Sequence, residues 1–192
     1  MKVLGIYGSP RRGGNTDQLL DKALEGAMSV GAEISRIYVR DLKMSGCIAC
    51  GGCDKTGKCV VDDDMQSVYP ILEEADIILL ASPIYFYGLT AQVKALIDRS
   101  QAMWSKKMLK KSPGQPGKRY GGGRGYLIAV GATRGKKLFD GVQMTARYFF
   151  DALDMSYEGG LLLGNLERRK AVQEQPETLE QAFKLGKKAA SG

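Results

Sequence analysis

The sequence predicts an α/β fold, a doubly wound sheet of five parallel strands with helices on both faces. Three observations carry this. Short apolar runs alternate with helical stretches along the whole chain. The runs KVLGIYG (2–8) and DIILLAS (76–82) are almost wholly apolar, as strands covered on both faces must be. The first of them ends in a glycine-rich turn that opens directly into a helix.

The elements follow in order. Lys2–Gly8 is the first strand. Thr16–Met28 is a helix with Leu19, Leu20, Ala23, Leu24 and Ala27 on one face. Glu33–Val39 alternates as the second strand. A segment with all four cysteines intervenes, followed by a helix over about 64–74. Asp76–Ser82 is the third strand, and Thr90–Trp104 reads as one helix. The stretch PGQPGKRYGGGRG (113–125) holds too many glycines and prolines for regular structure. Tyr126–Thr133 is the fourth strand, Leu138–Leu153 a helix and Tyr157–Gly164 the fifth strand. Pro176–Ala190 closes the chain as a helix with proline in its first turn.

The 192 residues are expected to form a single domain (1–192), with a compact cysteine segment at 46–63 and a basic loop at 105–124. A chain of this length buries about 70% of its extended surface, so its core needs neither disulfides nor metals. Nothing resembles a secretion signal. The longest apolar run, Ile77–Leu89, is broken by Pro83 and too short to span a bilayer. The expected location is cytoplasmic, where clustered thiols point to a metal or cluster site rather than a disulfide framework. The chain has no histidine, which excludes histidine triads, ligands and proton shuttles. Its net charge of +7 is local: Lys106, Lys107, Lys110, Lys111, Lys118, Arg119 and Arg124 account for all of it.

Sheets of this kind bind ligands beyond the carboxyl ends of their strands. The loop after the first strand, GSPRRGGNT (8–16), suits phosphate: a helix N-terminus offers free N–H groups, and an arginine can neutralise a dianion. It lacks the Lys-Ser/Thr of a Walker loop and the G-x-G-x-x-G of a dinucleotide site. The bland alternative is a glycine-rich turn with a Thr or Asn cap. The loop after the third strand, SPIYFYGLTAQ (82–92), carries Tyr85, Phe86 and Tyr87, which can receive a flat conjugated ring or pack under the next helix.

Together these loops resemble the NADPH-dependent FMN reductase family, a flavodoxin-like group, and the cysteine segment resembles its iron–sulfur flavoprotein branch. The resemblance runs from the first strand to about Arg99. It implies a sheet order of 2-1-3-4-5. It implies that Ser9, Arg11, Asn15 and Thr16 hold the FMN phosphate, and that Pro83, Ile84, Tyr85 and Phe86 hold the ribityl chain and ring. Thr133 and Gly135, in GATRG (131–135), would meet the other ring edge, although this loop departs from the family's usual glycine pair. The chemistry is then carried by the flavin, and no catalytic side chain is expected. A homodimer or homotetramer is implied, with flavin sites near subunit contacts.

The cysteines are spaced Cys47-x2-Cys50-x2-Cys53-x5-Cys59, similar to the run that wraps a cubane cluster in bacterial ferredoxins. The branch resemblance implies a [4Fe–4S] cluster on these four thiolates. A zinc site of four cysteines, oxidised thiols and an empty segment stay open as alternatives. Because the segment follows strand two, it is expected at the same edge as the flavin loops, as a port for electrons. The basic loop is expected to receive an acidic ferredoxin or the 2′-phosphate of NADPH, or to be solvated without a partner. Its single aromatic, Tyr120, argues against nucleic acid. The function expected is FMN-dependent electron transfer from ferredoxin or NAD(P)H to an acceptor. The alternatives are an NAD(P)H-dependent FMN or quinone reductase without a cluster, and a zinc-bearing adaptor.

Overall fold

The computed structural model describes residues 1–110 and 120–191. Five strands, β1 (Lys2–Tyr7), β2 (Glu33–Tyr38), β3 (Ile77–Pro83), β4 (Gly123–Val130) and β5 (Met155–Leu163), form one sheet in the order β2-β1-β3-β4-β5. Every neighbouring pair is parallel, which is the flavodoxin-like order. The helices are α1 (Asn15–Met28), α2 (Met65–Glu74), α3 (Ala91–Arg99), α4 (Gln101–Lys110), α5 (Asp140–Ala152) and α6 (Pro176–Ser191).

The two-residue period of the strands divides their side chains between two cores. Leu4, Ile6, Ile78 and Leu80 join residues of α2, α3 and α5 in one cluster. Val3, Tyr7, Ile77 and Leu79 join residues of α1 and α6 in the other. Both clusters are needed to cover the central strands, and this is why β1 and β3 read as unbroken apolar runs.

Two sequence expectations change. The single helix over 90–104 is two helices, and the second runs on to Lys110. The break falls at Ser100, whose N–H is shared between the Leu96 and Ile97 carbonyls at 3.1 and 3.0 Å, and whose hydroxyl also donates to the Leu96 carbonyl at 3.1 Å. The fourth strand begins at Gly123 rather than Tyr126. Gly125 sits there because a Cβ would lie 2.2 Å from the Phe150 ring. It is a packing glycine, not a breaker.

Candidate functional site

The β1–α1 loop forms the floor of the first site. Gly8 donates to the Ala81 carbonyl at 2.7 Å, and its own carbonyl accepts from the Thr90 hydroxyl at 2.7 Å. These bonds lock the loop to the start of α3. A Cβ on Gly8 would meet a Val93 methyl at 2.2 Å and the Ala81 carbonyl at 2.6 Å, so only glycine fits. Asp17, in the first turn of α1, accepts from the Gly13 N–H at 2.9 Å and from Arg40 at 3.0 Å. Arg40 also donates to the Ser9 carbonyl at 3.0 Å. This buried pair braces the loop from below. Burial raises the Asp17 carboxyl above its usual range despite the Gly13 N–H and Arg40.

Above the floor lies a cavity of about 170 Å³. From the first loop, Ser9, Arg11, Gly14, Asn15 and Thr16 line it. Pro83, Ile84 and Tyr85 enter from the β3–α3 loop. Seven of the ten residues expected at the flavin therefore share one cavity. Ser9 and Thr16 are 4% and 3% exposed. The Thr16 hydroxyl has no partner among the described residues. The hydroxyl is not among the fully enclosed unpartnered atoms, so it is open to donate to a ligand oxygen, and the first N–H groups of α1 would add to it. These residues fit a phosphate. The cavity is smaller than the roughly 300 Å³ at the low end of ligand pockets, so it suits a phosphate and the start of a chain. A flavin ring would lie over the adjoining loops.

Phe86, Thr133 and Gly135 do not line this cavity. Phe86 is fully exposed with φ of 49°, and Tyr87 follows with φ of 61°. A Cβ on Gly135 would lie 2.7 Å from the Tyr87 hydroxyl, so the β4–α5 loop packs against the aromatic loop. Asn15 behaves differently from its expected role. Its amide donates to the Leu166 and Arg168 carbonyls at 3.4 and 2.9 Å and accepts from the Val172 N–H at 3.2 Å. Its side chain is committed to the β5–α6 connection, which leaves its backbone N–H for a ligand. Leu166, Glu167 and Arg169 of that connection line the cavity too. They carry no sequence motif that points to them.

The cysteines form a second site. Cys47, Cys50, Cys53 and Cys59 all line one cavity of about 420 Å³, with Asp98, Arg99, Gln101 and Ala102 on its other wall. The Ala49 N–H donates to the Cys47 sulfur at 3.4 Å, and the Ser105 hydroxyl to that of Cys53 at 3.6 Å. Among the described residues no three His, Cys, Asp or Glu side chains converge as ligands of a single ion. The segment is pinned at its ends. Lys43 and Asp64 exchange hydrogen bonds at 2.6 and 3.3 Å. Asp63 takes a two-pronged ion pair from Arg99 at 2.6 and 3.0 Å and also accepts from the Ser45 N–H at 3.2 Å. Arg99 is 1% exposed and donates further to the carbonyls of Ser45 and Val61. Its hydrogen bonds hold the Asp63 carboxyl below the usual carboxylate range. Burial pushes the Cys59 thiol up, but the Val61 N–H, Tyr69 and Arg99 outweigh it, and the thiol ends below its ordinary value.

The placement of this segment differs from expectation. It leaves β2 at the carboxyl edge but lies against the far end of α3, about 13 Å of helix from the loops expected to hold the flavin. No described residue lines both cavities. The stretch expected as a basic loop at 105–124 begins inside α4 and ends in β4; two of its cations lie on α4 and are paired internally, Lys106 with Glu73 and Lys107 with Asp151 and Asp154. Lys111, Lys118 and Arg119 lie outside the described residues.

A model of the family described as NADPH-dependent FMN reductase matches residues 1–155. The chain belongs to that family. This family member is 42% identical over 99 residues to an iron–sulfur flavoprotein of Archaeoglobus fulgidus, covering 52% of this chain and 45% of that one. To one of Methanocaldococcus jannaschii it is 44% identical over 103 residues, covering 54% and 53%. The chain thus spans about half the length of the curated relatives it matches. A solved flavone reductase superposes on 99% of this chain and 62% of its own, with a TM-score of 0.72 and 20% identity, and shows the fold. No helix among the described residues is long and apolar enough to cross a membrane.

Proposed function

We propose that this chain is an FMN-dependent oxidoreductase that carries a [4Fe–4S] cluster on Cys47, Cys50, Cys53 and Cys59. Electrons pass from a reduced carrier, ferredoxin or NAD(P)H, through FMN to an acceptor. The observation that carries the reading is that all four thiols line one cavity, on a segment held in place by the Arg99–Asp63 ion pair. Four thiols spread round a cavity suit a polynuclear cluster, whereas one zinc ion needs all four at ~2.3 Å. Arg99, on the wall, keeps a buried Nε–H without an acceptor among the described residues. A cluster sulfur would satisfy it, and hydrogen bonds to sulfur tune such centres.

Bound FMN supplies hydride and single-electron chemistry. The chain's own contribution is placement. Ser9, Arg11, Thr16 and the N-terminus of α1 hold the phosphate. Pro83, Ile84 and Tyr85 hold the ribityl chain, with Phe86, Thr133 and Gly135 at the ring. The basic stretch begins on α4 beside the cysteines: Ser105 bonds to Cys53, and Lys106 lies against Gly57. An acidic carrier docking there would meet the cluster before the flavin. The subunits assemble as a homodimer or homotetramer.

The test is an absorbance spectrum of anaerobically purified protein, with iron, sulfide and zinc assayed on the same sample. Flavin bands over a broad reducible background, with iron and sulfide, are expected. Flavin without iron after attempted reconstitution would leave the plain FMN or quinone reductase.

A further inference from the structure

The two arginines nearest the first cavity come from opposite ends of the chain. Arg11 is on the β1–α1 loop and Arg169 on the connection between β5 and α6, yet both line the same space. Their sequence neighbours are engaged elsewhere: Arg12 pairs with Asp41, and Arg168 with Glu174. Arg11 and Arg169 have no carboxylate partner among the described residues. The Arg169 guanidinium is nonetheless fixed, because its Nη2 donates to the Arg12 carbonyl at 3.2 Å and so sits over the phosphate loop. The three Asn15 bonds described above tie that loop to residues 166–172.

We propose that Arg169 is a second cation for the FMN 5′-phosphate and that Asn15 is the positioning residue that seats it. This rests on the reading that FMN binds in this cavity. Charge balance carries the argument. A phosphate monoester brings a charge of about −1.5 to −2 at neutral pH. The N-terminus of α1 offers roughly +0.5. Glu167 lines the same cavity, so its charge cancels that of one of the two arginines. Arg11 alone would be cancelled by that carboxylate, so the second arginine, Arg169, is needed for the cavity to come close to neutralising the dianion. A guanidinium also gives the forked donor geometry that phosphate oxygens accept. The β5–α6 connection is thereby part of the phosphate site, and the phosphate is clamped between two loops rather than cradled by one.

The test compares FMN with riboflavin, which lacks the phosphate, on the flavin-stripped full chain by quenching of flavin fluorescence. Arg169 is on the surface, so Arg169→Gln leaves the fold intact. Arg169→Gln should weaken FMN about tenfold and leave riboflavin within about twofold, with the FMN loss shrinking at high salt. Asn15→Ala should weaken FMN as well, and adding Arg169→Gln to it should then cost little more, because the tie and the cation act together. An unchanged FMN affinity in Arg169→Gln, with a loss in Arg11→Gln, would overturn the clamp and leave Arg11 as the phosphate's cation. Equal losses of FMN and riboflavin would show a structural role and overturn it too. If neither arginine changes the FMN-to-riboflavin ratio, the phosphate is not in this cavity, and the site reading falls with the clamp.

Discussion

Replacing Asp63 with Asn isolates the contact on which the cysteine segment depends. Arg99 is 1% exposed, and Asp63 is its ion-pair partner, at 2.6 and 3.0 Å. Asparagine keeps the shape but leaves the guanidinium uncompensated. Breaking a buried pair from one side costs about 3–5 kcal/mol, a large share of the roughly 5–15 kcal/mol that holds a typical domain together. With a urea slope of about 1–3 kcal/mol per molar, the unfolding midpoint should fall by more than ~1 M. Removing both charges, as Arg99→Met with Asp63→Leu, should recover most of that loss. The pH dependence has a definite sign. The Asp63 carboxyl is held below its usual range, so its stabilisation is complete above the ordinary carboxylate pKa and disappears as pH falls through the depressed one. Asp63→Asn should remove that part of the acid limb. A midpoint within ~0.3 M of wild type would refute the reasoning, since the pair would then be screened by water.

Three further outcomes are expected. Cys50→Ala should abolish iron binding and leave FMN bound, read by iron assay and absorbance on one sample; unchanged iron would defeat the ligand assignment. Gly8→Ala forces a methyl to 2.2 Å from Val93 and should lower stability by about 1–3 kcal/mol, and flavin affinity with it. Phe86→Ala removes a fully exposed ring, so thermal unfolding should stay within about 0.5 kcal/mol. Its flavin absorbance and fluorescence should shift if the ring of FMN lies there.

The sheet was readable because its signal is local. Buried parallel strands must be apolar for their whole length, and β1 and β3 are. The turn from β1 into α1 was readable for the same reason, since Gly8, Ser9, Arg11 and Gly14 lie within a few residues of one another; that it takes a phosphate is the proposal. What escaped depends on partners far along the chain. Asn15 looks like a ligand donor until residues 166–172 take up its amide. Arg99 sits at a core-facing position of α3 beside Val93 and Leu96, a charge in an apolar phase, but its carboxylate lies thirty-six residues earlier. Arg169 and Glu167 belong to a polar connection with no motif. Gly125 reads as a breaker because nothing in its neighbourhood announces Phe150. The cysteine spacing was legible, whereas its distance from the flavin loops depended on a segment folding down along α3.

The pinned ends of that segment bear on how such a chain can change over generations. Lys43 and Asp64 lie side by side, so everything between them is an insert that enters and leaves the fold at one point. A short turn could replace it without disturbing a single strand. Arg99 would not survive the exchange, because without Asp63 it becomes a lone charge inside the protein. A descendant that sheds this segment must therefore also trade the arginine for an apolar residue, and the residue at position 99 would record the exchange.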